Sequence, residues 1–393
     1  MCPAVMLRAI ADRCLAAVFA AALGATAAAA ANFYDATPRE LAGAPGSVIR
    51  YQVMDPSPAG GIAFRVLYRS TGLRGEPIAV SAVIIRPPGA PPAGGRPVVA
   101  WAHPTTGIAR QCAPSLFNTG YSEIPALQWM LSRGYVVAAT DYPGLGTATR
   151  HPYIVGMSEG RAVLDSVRAA GAVPGVGAGK RFIVWGHSQG GHAALFTGEM
   201  AGRYAPDLQL MGIAAAAPAT DLGKLFESDL STIAGKILTA MALSAWSDVY
   251  QAPRNSMILP KQAPAVNKIA AFCIQSVFGK LAEMEAQKPL GEAFLTGNPA
   301  TVKPWQDFIR ENSPGRERAG APVLIAQGLD DTVVDPPVTD AYVAALCKRG
   351  TRVVFIRYPR VSHVPVAKRS AAQTVAWMAG RFANAPVTTP CGQ

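Results

Sequence analysis

Residues 181–201 read RFIVWGHSQGGHAALFTGEMA, and this stretch decides the fold. Arg181–Gly186 is a short apolar run, suited to a buried strand, and Gly191–Ala201 continues as a helix. Between them lies Gly186-His187-Ser188-Gln189-Gly190, a G-x-S-x-G pentapeptide. The pentapeptide alone is a weak signal; strand before and helix after make it a nucleophile elbow. The serine backbone must take a strained conformation to project Oγ from a tight turn. Small residues at Gly186 and Gly190 let strand and helix approach. The helix N-terminus then favours developing negative charge.

Outward from the elbow, strand and helix signals alternate. Gly61–Tyr68 and Ile78–Arg86 read as antiparallel strands. Pro97–His103, Tyr135–Asp141, Leu210–Ala217, Pro322–Gly328 and Arg352–Tyr358 read as buried strands. Ile124–Arg133 reads as a helix stopped by Gly134, and Gly160–Ala170 as an amphipathic one. Strands separated by helices imply an α/β protein with a mostly parallel, doubly wound sheet. Between Pro218 and about Arg310 the strand rhythm stops, in an apolar, helical interval that reads as an insertion over the sheet. The expected organisation is a leader over 1–31, a core over 32–217, a helical cap over 218–310, and the rest of the core over 311–393.

Where an elbow carries the nucleophile, the acid follows it in the chain and the histidine comes last. Of five histidines, only His363 lies beyond residue 192, in a loop past the strand Arg352–Tyr358, where a base can reach back to Ser188. His187, His192 and His151 read as supporting, structural residues. The acid is sought after Pro322–Gly328, at a strand's carboxyl end, where open α/β sheets place their sites. Gly328-Leu329-Asp330-Asp331-Thr332-Val333-Val334 fits G-x-x-D-x-x-V with Asp331 as the acid. Asp330 is the next choice and Asp335 the third candidate, and for both of these loop capping and solvation are the plainer reading. An oxyanion hole needs two donors. The first is the N–H of Gln189, and the second comes from the loop His103-Pro104-Thr105-Thr106-Gly107. Pro104 has no N–H, so Thr105 is preferred and Thr106 is the alternative.

Composition narrows the remaining classes. The chain has 393 residues, 50% hydrophobic and 16% charged, too apolar for a disordered protein. Its formal net charge is +11, yet the basic residues are scattered and no nucleic-acid-binding pattern accompanies them. Arg8 and Arg13 precede the apolar stretch Cys14–Leu23, and an alanine run ends at Ala29-Ala30-Ala31, which suits cleavage before Asn32. This reads as a Sec-type signal peptide of a secreted or periplasmic protein, with no transmembrane segment in the mature chain. Of six cysteines, Cys2 and Cys14 leave with the leader. Cys112, Cys273, Cys347 and Cys391 remain, and in an oxidising compartment they favour two disulfides, with three pairings open. No C-x-x-C spacing supports a metal, and neither metal nor organic cofactor is expected. Lys348, Arg349, Arg352, Arg357, Arg360, Lys368 and Arg369 make the C-terminal region basic, a candidate for peripheral contact with anionic lipid, though a solvated face is the plainer reading.

Several stretches together resemble the secretory lipase family. They are Phe33-Tyr34, Pro45-Gly46-Ser47-Val48-Ile49-Arg50, Tyr68-Arg69-Ser70-Thr71, Trp101–Gly107, Cys112-Ala113-Pro114-Ser115 and Asp141-Tyr142-Pro143-Gly144-Leu145-Gly146, with the elbow through His192 and Gly328–Val334. The resemblance covers nearly all of the mature chain. It implies an α/β-hydrolase fold with a helical cap, and a lipase or carboxylesterase acting on a small-molecule or lipid ester. It also implies the pairings Cys112–Cys273 and Cys347–Cys391. One departure is Pro104, where relatives commonly carry Gly. Competing readings of the same residues are an acyltransferase, a peptidase, and a non-catalytic binding protein on a hydrolase scaffold.

Overall fold

The computed structural model describes residues 33–274, 290, 293–388 and 391. The expected leader over 1–31 and its expected cleavage point lie outside the described residues. Among the described residues, nine strands form one sheet: β1 (Val48–Val53), β2 (Ile62–Thr71), β3 (Pro77–Arg86), β4 (Arg96–Ala102), β5 (Val136–Thr140), β6 (Ala178–His187), β7 (Gln209–Ala216), β8 (Val323–Gly328) and β9 (Val353–Tyr358), in the order β1-β2-β3-β5-β4-β6-β7-β8-β9. β1, β2, β3 and β5 pair antiparallel in turn, and every later pair, from β5–β4 to β8–β9, is parallel. The mostly parallel sheet read from the sequence is therefore present, with β1 as an additional edge strand. β1 is partly buried to exposed along its length, so it lacks the apolar run that reveals a central strand.

Among the described residues, the α-helices in chain order are α1 (Pro38–Leu41), α2 (Leu127–Ser132), α3 (Gly156–Ala172), α4 (Gln189–Tyr204), α5 (Leu222–Asp229), α6 (Ile233–Val249), α7 (Ala263–Ala270), α8 (Trp305–Glu311), α9 (Pro336–Lys348) and α10 (Val366–Phe382). They cover both faces of the sheet. Val98 and Ala100 of β4 pack with residues of α3, α4 and α9, whereas Val99 and Trp101 face a cluster that includes α2, α10 and the helices between β7 and β8. This is the period-2 alternation of a strand buried on both sides. Helix α2 is shorter than the sequence suggests, because Ala126 adopts left-handed backbone (φ 52°) and starts it late. Helix α3 packs against both the sheet and α4 and is buried almost all round, more fully than an amphipathic pattern by itself implies.

Among the described residues, the interval between β7 and β8 carries helices and no strand of the sheet. Its α6 contributes Ile237, Met241, Leu243 and Trp246 to the core cluster that also contains Trp101 and Trp185 of the sheet. The indole N–H of Trp246 donates to the carbonyl of Tyr153 at 3.0 Å. The insertion and the sheet therefore share apolar packing. Helix α8 runs to Glu311, across the expected boundary at residue 310. Two disulfides, Cys112–Cys273 and Cys347–Cys391, are the pairs that the family resemblance implies. Cys112–Cys273 closes 161 residues against 44 for the other, so the loop-closure account gives it the larger stabilisation, about 5 against about 4 kcal/mol.

Candidate active site

Strand β6 ends, Ser188 turns, and α4 begins at the next residue. Ser188 has φ 56° and ψ −117°, left-handed backbone for a residue with a side chain. Its N–H donates to the Ala216 carbonyl at 2.9 Å, so β7 holds the turn from the side. The flanking glycines are required by close approach. A Cβ on Gly186 would sit 1.9 Å from the Gly190 carbonyl oxygen, and one on Gly190 would sit 1.9 Å from that of Ala102. The elbow is thus jammed between its own helix and the end of β4, which fixes where Oγ points.

Two other strand ends deliver partners to that oxygen. The Ser188 hydroxyl donates to Nε2 of His363 at 2.8 Å, and His363 Nδ1 donates to Oδ2 of Asp331 at 2.8 Å. His363 and Asp331 are 4% exposed each, so the chain of hydrogen bonds is shielded from water. Asp331 Oδ1 accepts the N–H groups of Val333 and Val334, both at 2.9 Å, and Oδ2 also accepts from Gln327 Nε2 at 3.1 Å. Burial alone would push the Asp331 carboxyl up, but the imidazole of His363 and these donors hold it below the ordinary carboxylate range. Gly328 is small because the His363 loop crosses it: a Cβ there would lie 2.2 Å from the Val361 carbonyl oxygen. That carbonyl accepts the Asp330 N–H at 3.0 Å, which stitches the acid turn to the histidine loop. Of the sequence candidates, Asp331 is brought to His363. Asp330 and Asp335 stay exposed, and Asp335 stands at the N-cap position of α9 without a side-chain capping bond.

The histidine before the serine braces this assembly. The His187 ring lies 5.0 Å from that of His363, and its Nε2–H donates to the His363 carbonyl at 3.0 Å. Burial, reinforced by His363, pushes the His187 pKa down to about 3, so the ring stays neutral and serves as a donor. The oxyanion-loop candidates lie just past β4. Thr105 is buried, its hydroxyl bonded to that of Tyr153 at 2.9 Å, while the Thr106 carbonyl accepts the N–H of Ile274 at 2.8 Å. Gly107 bridges to Cys273, so this loop is tied to the insertion beside the Cys112–Cys273 disulfide. Gln189 opens α4, where main-chain N–H groups have no acceptor within the helix. A cleft of about 800 Å³ reaches this corner, walled by Trp101, Thr105, Tyr121, Ile124, His187 and Ile274. Among the described residues, no group of three His, Cys, Asp or Glu is placed to hold a metal, and no helix is long and apolar enough to cross a membrane.

The profile of the secretory lipases matches residues 115–389, a span that holds Ser188, Asp331 and His363. The chain belongs to the secretory lipase family. A protein named probable inactive lipase from Mycobacterium tuberculosis is 26% identical to this chain, over 88% of this chain and 80% of its own length. Lipase 10 of Candida albicans is 23% identical over 96% of this chain and 86% of its own. Among solved structures, Candida antarctica lipase A is similar with a TM-score of 0.78 at 20% identity, over 92% of this chain and 87% of that one. The rice cell wall degrading esterase LipA from Xanthomonas oryzae aligns with a TM-score of 0.70 at 21% identity, over 87% and 98%. The fold of this chain is therefore an α/β-hydrolase fold, and family and fold together support ester hydrolysis.

Sequence reasoning did not single out Gln327, Tyr153, Asn312 or Glu159, all of which are buried at or beneath this site. Glu159 left a readable trace. It shares spacing i, i+3, i+4, i+7 with Ala162, Val163 and Ser166, which puts an acid on a face of small and apolar residues.

Proposed function

We propose that this chain is an exported serine hydrolase that cleaves carboxylic esters through an acyl-enzyme. The observation that carries the reading is the unbroken chain Ser188 Oγ, His363 and Asp331, with both hydrogen bonds at 2.8 Å and the serine in left-handed backbone. Ser188 Oγ attacks the ester carbonyl while His363 Nε2 takes its proton. Asp331 holds the imidazole in the tautomer that leaves Nε2 free to accept, and stabilises the imidazolium as it forms. The main-chain N–H groups of Gln189 and Thr105 receive the oxyanion, each contributing about 3 kcal/mol to the transition state. His363 then gives its proton to the departing alcohol, and water, activated the same way, releases the acid. No step calls for a metal or cofactor. The apolar cleft beside Thr105 takes part of the ester, and the segment 218–310 serves as a cap over it. Export by the leader 1–31 accounts for the two disulfides.

The test is hydrolysis of p-nitrophenyl esters from C2 to C16 by the mature chain. Turnover that falls about 10⁶-fold in Ser188→Ala supports the reading, and the chain-length optimum separates esterase from lipase. Folded, disulfide-bonded protein that turns over none of these esters overturns it. Ester exchange with an added alcohol in place of hydrolysis would instead favour an acyltransferase.

A further inference from the structure

Beneath the elbow lies a second set of polar groups that the proposed reaction does not use. Glu159 of α3 and His192 of α4 are both fully buried, with His192 Nδ1 and Glu159 Oε2 2.8 Å apart. The other carboxylate oxygen, Oε1, accepts the side-chain amide of Gln189 at 2.8 Å and the N–H of Ile154 at 3.1 Å. His192 Nε2 donates to the main-chain carbonyl of Asn312 at 2.8 Å. Asn312 follows α8, at the end of the insertion. Its amide donates to the Tyr250 hydroxyl at 2.9 Å, just past α6, and its Oδ1 accepts the N–H of Gly156 at 3.2 Å.

The protons in this set can be assigned by closure. A carbonyl faces His192 Nε2, so that nitrogen carries hydrogen. One further proton is shared between Nδ1 and Glu159, and the pair is net neutral wherever that proton rests. His151 Nδ1 donates to the Pro143 carbonyl at 2.8 Å, which leaves its Nε2 to accept from the Gln189 amide at 3.3 Å. Burial pushes the His151 pKa down to about 4, consistent with a neutral acceptor ring. Both hydrogens of the Gln189 amide are therefore used, one on Glu159 and one on His151.

We infer that Glu159 is a positioning residue for the oxyanion hole: through Gln189 it aims that residue's main-chain N–H, and through His192 and Asn312 it joins the aim to the base of the insertion. The physical need is plain. Ser188 holds a backbone conformation that relaxes unless its neighbours over-determine it, and the residue next to it is clamped by two buried acceptors. A donor is useful only where the oxyanion will form, so a small rotation of Gln189 lowers turnover without changing how the ester is bound. Because Asn312 also bonds Tyr250 and Gly156, insertion, α3 and α4 meet at one hydrogen-bonded unit.

This inference rests on the serine-hydrolase reading. The experiment compares kcat and KM for p-nitrophenyl butyrate in the full mature chain and in Glu159→Leu, Glu159→Gln and Gln189→Met, with folding checked by circular dichroism. Glu159→Leu lowers kcat on the order of 10²-fold with KM within about twofold, the scale of an ångström of misplacement. Glu159→Gln restores kcat to within about threefold, because its amide group accepts from Gln189 and donates to His192, keeping the chain closed. Gln189→Met retains the main-chain donor but loses the clamp, and lowers kcat about tenfold; it serves where Glu159→Leu does not fold. Folded Glu159→Leu or Gln189→Met with kcat near that of the unmodified chain overturns the inference, as does a Glu159→Gln protein as slow as Glu159→Leu. An unmodified chain without turnover overturns the hydrolase reading itself, and this inference with it.

Discussion

Two carboxylate–imidazole pairs flank Ser188 and Gln189, and their dimensions match. Asp331 meets His363 at 2.8 Å and Glu159 meets His192 at 2.8 Å, all four side chains buried. They differ in what the second ring nitrogen meets. For His363 it is the hydroxyl of a serine in strained backbone, and Nε2 accepts. For His192 it is the Asn312 carbonyl, and Nε2 must donate. The first pair can therefore take a proton from the Ser188 hydroxyl, while the second has no vacant lone pair and can only hold its neighbours. An acid–histidine contact is thus not a sign of catalysis in itself; the third group in line decides its use.

The sharpest way to break this comparison is to remove each carboxylate–imidazole contact and see which property fails. Asp331→Asn keeps the shape and loses the charge and tautomer control, so kcat/KM for a p-nitrophenyl ester falls about 10⁴-fold while the protein stays folded. Because Asp331 is held below its ordinary value, its stabilising contribution is complete above about pH 4 and is lost as pH falls through the lower folded-state value. Its carboxylate is consequently charged throughout the neutral range.

His192→Leu is the converse. It leaves Glu159 buried without its partner and lowers the free energy of unfolding in urea by about 3–5 kcal/mol. A folded His192→Leu protein that lost activity as completely as Asp331→Asn, with no change in unfolding, would collapse the distinction between the two pairs.

The last comparison concerns His187, which bonds the His363 carbonyl beside the first pair. Its pKa falls to about 3 in the folded chain, against about 6.5 when unfolded. Below pH 6.5 the unfolded chain takes up a proton that the folded chain refuses. Stability tied to this ring is therefore complete above pH 6.5 and declines by about 1.4 kcal/mol per pH unit down to about pH 3. His187→Gln removes that dependence, so unfolding free energies measured between pH 4 and pH 7 should show a slope shallower by that amount.

How legible each part was follows from the range of the forces that shape it. The elbow could be read because its glycines, its strand and its helix are contiguous, and steric exclusion at Gly186 and Gly190 is local. His363 could be found by chain order, and Asp331 by a loop whose own N–H groups bind it. The lower pair could not. Glu159 and His192 are separated by 33 residues and by two helices whose packing brings them together. Nor could β1, an edge strand without an apolar run, or the near-complete burial of α3, which depends on α4 lying against it.

By itself, then, the amino-acid sequence determined the α/β rhythm, the strained serine and the order of its partners, because backbone sterics and period-2 burial act within a few residues. Only the tertiary structure decided which carboxylate faces which imidazole, that Gln327 and His187 brace the upper pair, and that the insertion meets Gln189 through Asn312. Those outcomes depend on where distant elements come to rest, and a buried polar atom takes whichever partner that packing leaves within about 3 Å of it.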